Sequence, residues 1–544
     1  MSHFMSWVLE GLSKYPSRPI FKRYIKPTAA SNRPTWLSIS YKTFLTDLEH
    51  CAAYWGQKLG DKGVNQKDVV GIWITGTEYT DLANLYGLAR AGYIPEVLNA
   101  KMSVPVIRDL LVKSGGKAIV CDPNFAAFLT DFPLDTFAIP KLGSLSVPPS
   151  SLPALPAVTP DDIAMIFHTS GTTSGIPKPV PETHRWLKSQ AQVQWPNLWQ
   201  CYTDGRPLMV NNIGSFGNVG SATTMSYLSW SGHCLVQTSK PDFDVNEFLA
   251  MVNEEGLNCM ILYAPWLSKL LKLARSDPVV LSALKGMGQI HYTGAALNPD
   301  DEAWAMDQDI PITSIYSTTE CAACLVSPLG VKGVLSAMCM LEGINCKFIP
   351  VSGMDRTDLD GDSEKRSKGG QLFDLFVPAE ADNCPHPSVR NRPDGHITGD
   401  LFEEAGPGLY YFRGRNDDWI RTGKHLVFCD TKSIEDNVLA TCADLIHNTV
   451  VVGHYKPVIV LFVEPLQPIT SLEEENTLKA TILKRTGDFN SRLFVHEQIN
   501  SPDQIFPLPI GSLSRTTEKG NIRRKAVEDE YAASLDEIYS KFRE

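Results

Sequence analysis

The chain has 544 residues, of which 43% are hydrophobic and 20% are charged, so it is too long for one compact core and too apolar for a disordered protein. Its formal net charge of -11 is spread along the chain without a long block of one sign, and we therefore expect no nucleic acid and no anionic membrane as a main partner. The sequence shows neither a signal-peptide pattern nor an apolar run long enough to span a bilayer, so we expect a cytoplasmic protein.

The first stretch, to about residue 148, alternates helical patterns with short apolar strands such as 69–74 and 117–121. This alternation predicts a layered α/β architecture. The segment 147–156 that follows contains too many prolines for a regular element and is predicted to be a surface linker. An apolar strand at 163–168 then leads directly into a loop rich in Ser, Thr and Gly, and such a junction is where we expect chemistry.

The second half of the chain contains one clear candidate for a domain boundary. The segment 355–368 is rich in Asp, Lys and Arg and is predicted to be a solvated loop. A compact polar segment at 413–418 is followed by a smaller module with predicted strands at 448–452 and 457–463. The sequence therefore predicts a boundary near residue 414, and the tail at 527–542 has a helical pattern.

Twelve cysteines are spread irregularly, which predicts reduced thiols and not a disulfide framework. Cys321 and Cys324 form an isolated CxxC pair without a second pair of ligands nearby. Because a closed zinc site needs four well-placed ligands, we expect small buried side chains here and no metal.

The loop at 169–178 is the strongest local signal and has the sequence Thr-Ser-Gly-Thr-Thr-Ser-Gly-Ile-Pro-Lys. Glycines let backbone N–H groups approach a polyphosphate, hydroxyl groups add donors, and Lys178 supplies a positive charge. No Gly-Lys-Ser/Thr follows at the spacing of the common nucleoside-triphosphate loop. A polar loop of this composition can also be a mobile linker, but the strand before it favours phosphate binding.

This loop resembles the phosphate-binding signature of the adenylate-forming superfamily, which contains acyl- and aryl-CoA ligases, peptide-synthetase adenylation domains and luciferases. Further segments match in the family's order, from the acid pocket through the aromatic-x-x-Thr-Glu motif, the ribose motif and the hinge to the region of a mobile lysine: 292–297, 315–320, 397–401, 414–418 and 515–524. Together these matches cover the chain from about residue 160 to its end.

The resemblance implies a large N-terminal α/β region of several subdomains at 1–414, with layered sheets and helices that bind ATP and an acid. A small mobile α+β lid at 415–544 would pivot near Asp417. The implied reaction joins a carboxylic acid to AMP with release of pyrophosphate and passes the acyl group to a phosphopantetheine thiol. The sequence has no Gly-Gly-x-Ser segment for its own phosphopantetheine, so coenzyme A, a carrier protein or further domains of a larger synthetase or reductase are the expected acceptors.

The resemblance also implies the roles of individual residues around ATP and Mg²⁺. Thr319 would donate to the α-phosphate and Glu320 would ligate Mg²⁺. Lys519 would bridge the acid's carboxylate and the α-phosphate. The residues that bind the nucleotide, with Tyr316 against adenine, Asp400 on the ribose hydroxyls and Arg415 beside it, would be Thr169, Ser170, Gly171, Thr172, Thr173, Lys178, Ala295, Tyr316, Ser317, Asp400 and Arg415.

The same resemblance implies an acid pocket, with these six residues along it: Phe216, Gly217, Asn218, Tyr292, Gly294 and Ala296. Amino-acid-activating domains usually have a Phe-Asp pair where this chain has Phe216 followed by Gly217. That carboxylate pairs with an α-ammonium group, and a buried ammonium without a partner is unfavourable. We therefore expect an aryl or alkyl acid in preference to an α-amino acid.

Three departures from the common family pattern bear on the subtype. Ser174 is an additional loop residue, Ser317 stands where glycine is usual, and Lys519 precedes Gly520 where many members have Gly-Lys. With Pro179, the order Lys-Gly resembles most closely the adenylation domains of fungal carboxylate reductases and synthetase-like proteins. A luciferase-like enzyme, or a non-catalytic protein of the same fold that binds a nucleotide or acyl-adenylate, remains as an alternative.

Overall fold

The computed structural model describes the residues 3–26, 33–145, 151–169, 177–201, 206–212, 214–294, 296–331, 336–351, 371–416, 419–423, 427–515 and 522–542. Within these ranges no helix has the length and apolarity needed to cross a membrane. The predicted loop at 355–368 lies outside them.

The described residues form helices and strands in alternation. The helices are α1 (Phe4–Lys14), α2 (Tyr41–Gly60), α3 (Tyr79–Arg90), α4 (Val104–Ser114), α5 (His184–Ser189), α6 (Trp195–Leu198), α7 (Val219–Ser231), α8 (Val245–Glu255), α9 (Ala264–Ala274), α10 (Pro278–Lys285), α11 (Pro299–Asp307), α12 (Thr431–Thr441), α13 (Leu472–Asn490), α14 (Arg524–Glu530) and α15 (Ala532–Ser540). The strands are β1 (Pro19–Ile25), β2 (Thr35–Ser40), β3 (Val69–Ile74), β4 (Ile94–Asn99), β5 (Ala118–Cys121), β6 (Asp135–Ala138), β7 (Ile163–Thr169), β8 (Lys178–Thr183), β9 (Met209–Asn211), β10 (Cys234–Val236), β11 (Cys259–Tyr263), β12 (Gln289–Thr293), β13 (Ile312–Thr318), β14 (Ala322–Val326), β15 (Cys339–Met340), β16 (Lys347–Pro350), β17 (Leu372–Pro378), β18 (Gly395–Gly406), β19 (Leu409–Arg415), β20 (Trp419–Thr422), β21 (Val427–Asp430), β22 (Ile446–Val452), β23 (Val460–Pro465) and β24 (Ile505–Pro507).

Two large sheets share the main hydrophobic core. The first has six strands in the order β6-β5-β3-β4-β7-β8, and the second has nine in the order β15-β14-β13-β12-β11-β9-β10-β1-β2. Apolar side chains from both sheets, such as Ile72, Phe167 and Val210, belong to one buried cluster. The strands predicted at 69–74, 117–121 and 163–168 therefore correspond to β3, β5 and β7, and the predicted α/β architecture is confirmed.

Helix α7 covers the nine-stranded sheet and is buried along nearly its whole length. It ends at Gly232, whose φ of 80° is the left-handed conformation that glycine adopts at low cost. A π-helical turn at Gln190–Gln194 joins α5 to α6 and places Trp195 at the start of α6. Such turns occur mostly as single insertions in helices, often near functional sites.

The remaining strands form three smaller sheets towards the carboxyl terminus. Four antiparallel strands, β16 to β19, enclose a cluster with Cys321, Cys324 and Tyr316, so the CxxC cysteines are buried as expected. Strands β20 and β21 form a hairpin, and β22, β23 and β24 form a three-stranded sheet with its own two clusters of buried apolar residues. The predicted helical tail corresponds to α14 and α15.

Candidate active site

The carboxyl ends of four neighbouring parallel strands, β9, β11, β12 and β13, lie at one edge of the nine-stranded sheet. Three predicted site residues follow these ends, because Gly217 comes after β9, Gly294 after β12 and Glu320 after β13. Ligands of open α/β sheets bind in the crevice outside the carboxyl ends of the strands. The topology therefore brings the predicted acid-pocket and metal-binding segments to one edge.

The candidate phosphate-binding loop connects the two strands of a hairpin. Thr169 pairs with Lys178 across the antiparallel strands β7 and β8. Thr169 is half-buried and Lys178 is exposed, so the cation at the base of the loop is open to an anionic ligand. The loop residues Ser170, Gly171, Thr172 and Thr173 lie outside the described part of the chain.

A buried histidine fixes the end of β7 directly before this loop. The Nε2 atom of His168 lies 2.9 Å from Oε1 of Glu96, and its Nδ1 atom lies 3.0 Å from the carbonyl oxygen of Val97. The hydroxyl of Ser114 donates to the other carboxylate oxygen of Glu96. Because both ring nitrogens are held by β4, the strand that feeds the loop has a fixed position. Sequence reasoning missed this pair, although a histidine at the end of an apolar strand was a signal.

Three residues that are distant in sequence meet at the predicted ribose site. Asp400 and Arg415 are direct partners across β18 and β19, and an Nη atom of Arg415 lies 3.5 Å from Oδ1 of Asp400. The Tyr316 hydroxyl donates to Oδ2 of Asp400 at 2.5 Å. Burial, with the Asp400 charge adding to it, raises the pKa of Tyr316 well above its usual value, so the hydroxyl stays protonated as a donor. These contacts orient the carboxylate.

The ring of Tyr316 itself packs into the protein. It is 8% exposed and meets Phe402 edge-on with 5.0 Å between the ring centroids. Ser317, the next residue along β13, is exposed. Tyr316 therefore positions Asp400 in this structure, and its predicted place against adenine stays a prediction.

A second carboxylate, which the sequence analysis missed, lies beside Asp400. The Gly399 N–H donates to Oδ1 of Asp374 at 3.3 Å. Burial raises the pKa of Asp374 to about 6, and the neighbouring Asp400 charge acts in the same direction. The crowding of two acids at this point means that the Arg415 charge offsets part of their repulsion.

Glu320 lies in the turn between β13 and β14, where its own carbonyl oxygen accepts a hydrogen bond from Trp186 Nε1 at 3.0 Å. Two unsatisfied side chains surround it, because neither carboxylate oxygen of Glu182 nor Nδ1 of His396 has a partner among the described residues. Burial raises the pKa of Glu182 well above its usual value, and the Glu320 charge adds to this shift. Burial lowers the pKa of His396, and Glu320 opposes that shift. Neither Glu182 nor His396 was recognised from the sequence.

The residues around Glu320 fit Mg²⁺ only if a substrate supplies further ligands. Among the described residues, no group of three or more His, Cys, Asp or Glu is placed to hold a metal ion. Mg²⁺ is usually bound by one or two carboxylates together with phosphates and water, and not by an all-protein cage. Glu320 alone therefore suits a metal that arrives with ATP.

The buried Glu182 predicts an unusual pH dependence of stability. Since its pKa is raised in the folded state, the unfolded state loses the proton at a lower pH, and stability falls as the pH rises above the ordinary value of 4.5. The variant Glu182→Gln carries no such charge. We expect it to be more stable than the parent by about 1–3 kcal/mol at pH 8, with a smaller difference at pH 5, as measured by thermal unfolding.

Glu464 provides a control of opposite sign. Burial acts to raise the pKa of Glu464, but hydrogen bonds from Leu513 and Asn448 and the charge of Arg515 lower it overall. The variant Glu464→Gln should therefore lose stability at neutral pH. A stability gain of Glu182→Gln that does not change with pH would contradict the assignment of a buried, protonated carboxyl group.

The predicted acid-pocket residues fall into two groups. Phe216 and Tyr292 lie in hydrophobic cores, where Phe216 packs 6.2 Å from the Phe21 ring and the Tyr292 hydroxyl donates to Oε1 of Glu302 at 2.9 Å. The others lie at the open edge of the sheet or beside it: Gly217, Asn218, Gly294 and Ala296. Ala295 lies outside the described residues.

Gly294 is required by its surroundings. Its φ is 85°, and a Cβ atom at this position would approach the Tyr263 ring to 3.0 Å. Both the backbone conformation and the close ring favour glycine. The backbone thus passes close to the carboxyl end of β11, which keeps this part of the crevice narrow.

Asp417 and Lys519 both lie outside the described residues, but the base of the Lys519 segment is well anchored. Arg515 and Ile522 form an isolated β-bridge on either side of it. The Arg515 guanidinium lies 2.8 Å from Oε2 of Glu464, whose Oε1 accepts from the N–H groups of Gly511 and Leu513. The segment 516–521 therefore leaves and enters a fixed point of the three-stranded sheet.

Comparison with known proteins accounts for most of the chain. Residues 12–346 match the family model described as AMP-binding enzyme, and residues 429–543 match the model described as AMP-binding enzyme C-terminal domain. The AMP-binding domain-containing enzyme iboA of Amanita muscaria (strain Koide BX008) is 33% identical over 493 residues, which are 88% of this chain and 92% of that protein.

More distant proteins agree with this match. The adenylate-forming reductase stbB of Stachybotrys bisbyi is 22% identical over 84% of this chain, but the match spans only 41% of the reductase. The solved structure of the o-succinylbenzoate coenzyme A synthetase of Bacillus subtilis with ATP and magnesium ion has a TM-score of 0.70 at 15% identity, and the match covers 96% of this chain and 99% of that chain. The resemblance indicated by the motifs and the predicted fold class are both confirmed.

Proposed function

The chain belongs to the AMP-binding enzyme family, and from this premise we propose that it activates a carboxylic acid with ATP and then transfers the acyl group to a thiol. A carboxylate is a poor acyl donor. Attack of its oxygen on the α-phosphorus of ATP forms an acyl-AMP anhydride and expels pyrophosphate. The thiol sulfur then attacks the acyl carbon, a thioester forms and AMP leaves.

One observation carries this proposal. The Tyr316 hydroxyl joins Asp400, so the motif at 315–320 lies against the predicted ribose site, with Arg415 on the other carboxylate oxygen. Asp400 would accept from the ribose hydroxyls, since a carboxylate offers two acceptor oxygens. Thr319 and Glu320 follow Tyr316 directly and would face the phosphates. When bound at Glu320, Mg²⁺ would neutralise charge on the phosphates.

We further propose the division of labour between the two parts of the chain. The region 1–414 would bind ATP and the acid, and the region 415–544 would act as a lid that turns near Asp417 and delivers Lys519. The separate apolar clusters of the three-stranded sheet support this division, because they let that part move as a unit.

An aryl or alkyl acid is the proposed substrate class, and a phosphopantetheine thiol of coenzyme A or of a carrier protein is the proposed acceptor. Gly217 in the place of an acidic residue supports the first point, because no carboxylate would meet an α-ammonium group there. The coenzyme A synthetase and the reductase among the similar proteins support a thiol acceptor, and the reductase is more than twice as long as the matched region.

The test measures pyrophosphate release with ATP and a panel of aryl, aliphatic and α-amino acids. We expect release with members of the first two classes, followed by thioester formation when coenzyme A or a phosphopantetheinylated carrier is added. Nucleotide binding without pyrophosphate release for any acid would favour the non-catalytic alternative. Release with α-amino acids alone would contradict the proposed substrate class.

A further inference from the structure

An enclosed cavity lies behind the candidate acid pocket. It is bounded by β9 and β11 on the sheet and by α6 and α7 above it, and protein atoms leave about 290 Å³ empty. Ser221 and Thr224 of α7 and Asn212, which follows β9, line it. Ser221 lies one helical turn beyond Asn218, so the cavity continues inward from the predicted acid-binding loop.

Three hydrogen-bond donors line this cavity without a protein partner. The indole N–H groups of Trp195 and Trp199 and the hydroxyl of Ser221 are buried and have no hydrogen-bond partner among the described residues. The three residues are 7%, 3% and 1% exposed. A buried donor that stays unsatisfied costs about 1–3 kcal/mol, so a ligand atom that accepts from them would be strongly preferred over one that does not.

The other polar groups around the cavity are already satisfied. The Thr224 hydroxyl donates to the Gly220 carbonyl oxygen at 2.6 Å, and Asn211 exchanges hydrogen bonds with the backbone of Ile261. The Asn212 Oδ1 atom accepts from the Thr238 N–H at 2.9 Å. The unsatisfied groups are therefore donors, and the missing partner is an acceptor.

The cavity also carries no charge. Its lining contains no Lys, Arg, Asp or Glu. The ring of His291 lies 4.3 Å from the Trp199 ring, but burial lowers the pKa of His291 to about 3, so this side chain is neutral at physiological pH. A carboxylate or ammonium group would enter this space without a counter-charge, which is unfavourable.

We propose that this cavity receives the far end of the acid and that the acid carries an uncharged oxygen acceptor there, such as a keto, amide or hydroxyl oxygen. The proposal deepens the proposed function and rests on it. Trp195, Trp199 and Ser221 are the specificity residues, and the acid is small because 290 Å³ is at the lower end of the size of ligand pockets. A plain hydrocarbon end would leave all three donors unpaired, and a second carboxylate would lack a cation.

The experiment compares matched acids of four to eight carbons in acid-dependent ATP–pyrophosphate exchange and in direct binding by calorimetry. Each set contains a hydrocarbon acid, its keto or hydroxyl analogue and the corresponding dicarboxylate, in aliphatic and aryl series. We expect the best uncharged oxygen-bearing acid to exceed its hydrocarbon analogue by at least about 10²-fold in kcat/KM. The dicarboxylate should be the weakest.

Variants then connect this preference to the cavity. Trp199→Phe and Ser221→Ala should each reduce the preference about 10-fold, mainly by weakening the oxygen-bearing acid. Trp266→Phe is the matched control, because the Trp266 indole N–H is also buried without a partner but lies in the second core, beside Phe243. This control should leave the preference unchanged.

Each outcome has a distinct meaning. Equal rates for hydrocarbon and oxygen-bearing acids, a preference for the dicarboxylate, or a preference that Trp199→Phe and Ser221→Ala do not change would overturn the cavity proposal. A binding preference that these variants weaken, without exchange for any acid, would keep the cavity assignment and overturn the proposed activation. Absence of both binding and exchange for every acid would overturn both.

Discussion

The variant Lys519→Ala is expected to lose acid-dependent ATP–pyrophosphate exchange by about 10²–10³-fold, while its affinity for ATP changes little. The reason is electrostatic. Negative charge from the acid's carboxylate and from the α-phosphate meets in the transition state, and a positioned cation stabilises that state more than the bound substrates. Removal of one preorganised donor of this kind typically costs this factor in rate. The measurement is isotope exchange at saturating acid, with ATP affinity determined separately.

Two further variants separate the role of Lys519 from general effects of charge and of lid movement. Lys525 lies in the same basic stretch, but its exposed ammonium pairs with Asp529 at 2.9 Å on α14, so Lys525→Ala should exchange at nearly the parent rate. Asp417→Pro should leave exchange intact and impair thioester formation, since the proposed pivot serves the second step. Exchange near the parent rate in Lys519→Ala would remove this residue from the mechanism, and equal loss of both steps in Asp417→Pro would argue against the pivot.

The fold and the nucleotide site were predictable to different degrees. Periodicity and composition predicted β3, β5 and β7 because a short apolar run between polar segments is a local property. The order of the nine-stranded sheet is not local, since β1 pairs with β10 across more than 200 residues of chain. Asp400 and Arg415 could be named because their motifs are compact. Their contact with Tyr316 depends on the packing of two sheets, which no short window contains.

The residues that were missed lie inside regular elements, where a polar side chain resembles any other member of the pattern. Glu182 follows Val180 by two positions on β8, and alternate residues of a strand share a face, so the buried Val180 was a signal that Glu182 is buried too. Trp195 and Trp199 look like ordinary core residues in sequence. Only the structure shows that their N–H groups have no protein partner and that they border a cavity with Ser221.

A second large effect is expected at Asp400, which the structure holds between a tyrosine hydroxyl and an arginine. The variant Asp400→Ala should weaken ATP binding by roughly 10²-fold, because hydrogen bonds to a charged acceptor contribute about 1.5–3 kcal/mol each. Since the carboxylate is only 5% exposed, thermal unfolding should be measured to separate lost binding from lost folding. Tyr316→Phe removes only the donor that orients Asp400 and should weaken ATP binding by about 10-fold.

The nucleotide itself supplies the decisive comparison for Asp400. If its carboxylate accepts from the ribose hydroxyls, the parent should bind ATP far more tightly than 2′,3′-dideoxy-ATP, and Asp400→Ala should bind the two equally. This double comparison isolates the contact, because any general damage from the substitution affects both nucleotides alike. Asp374→Asn, which keeps the acceptor for the Gly399 N–H, should preserve the discrimination of the parent. Undiminished discrimination in a folded Asp400→Ala would move the ribose to another part of the crevice, although the fold and the contact between Asp400 and Tyr316 would stay as described.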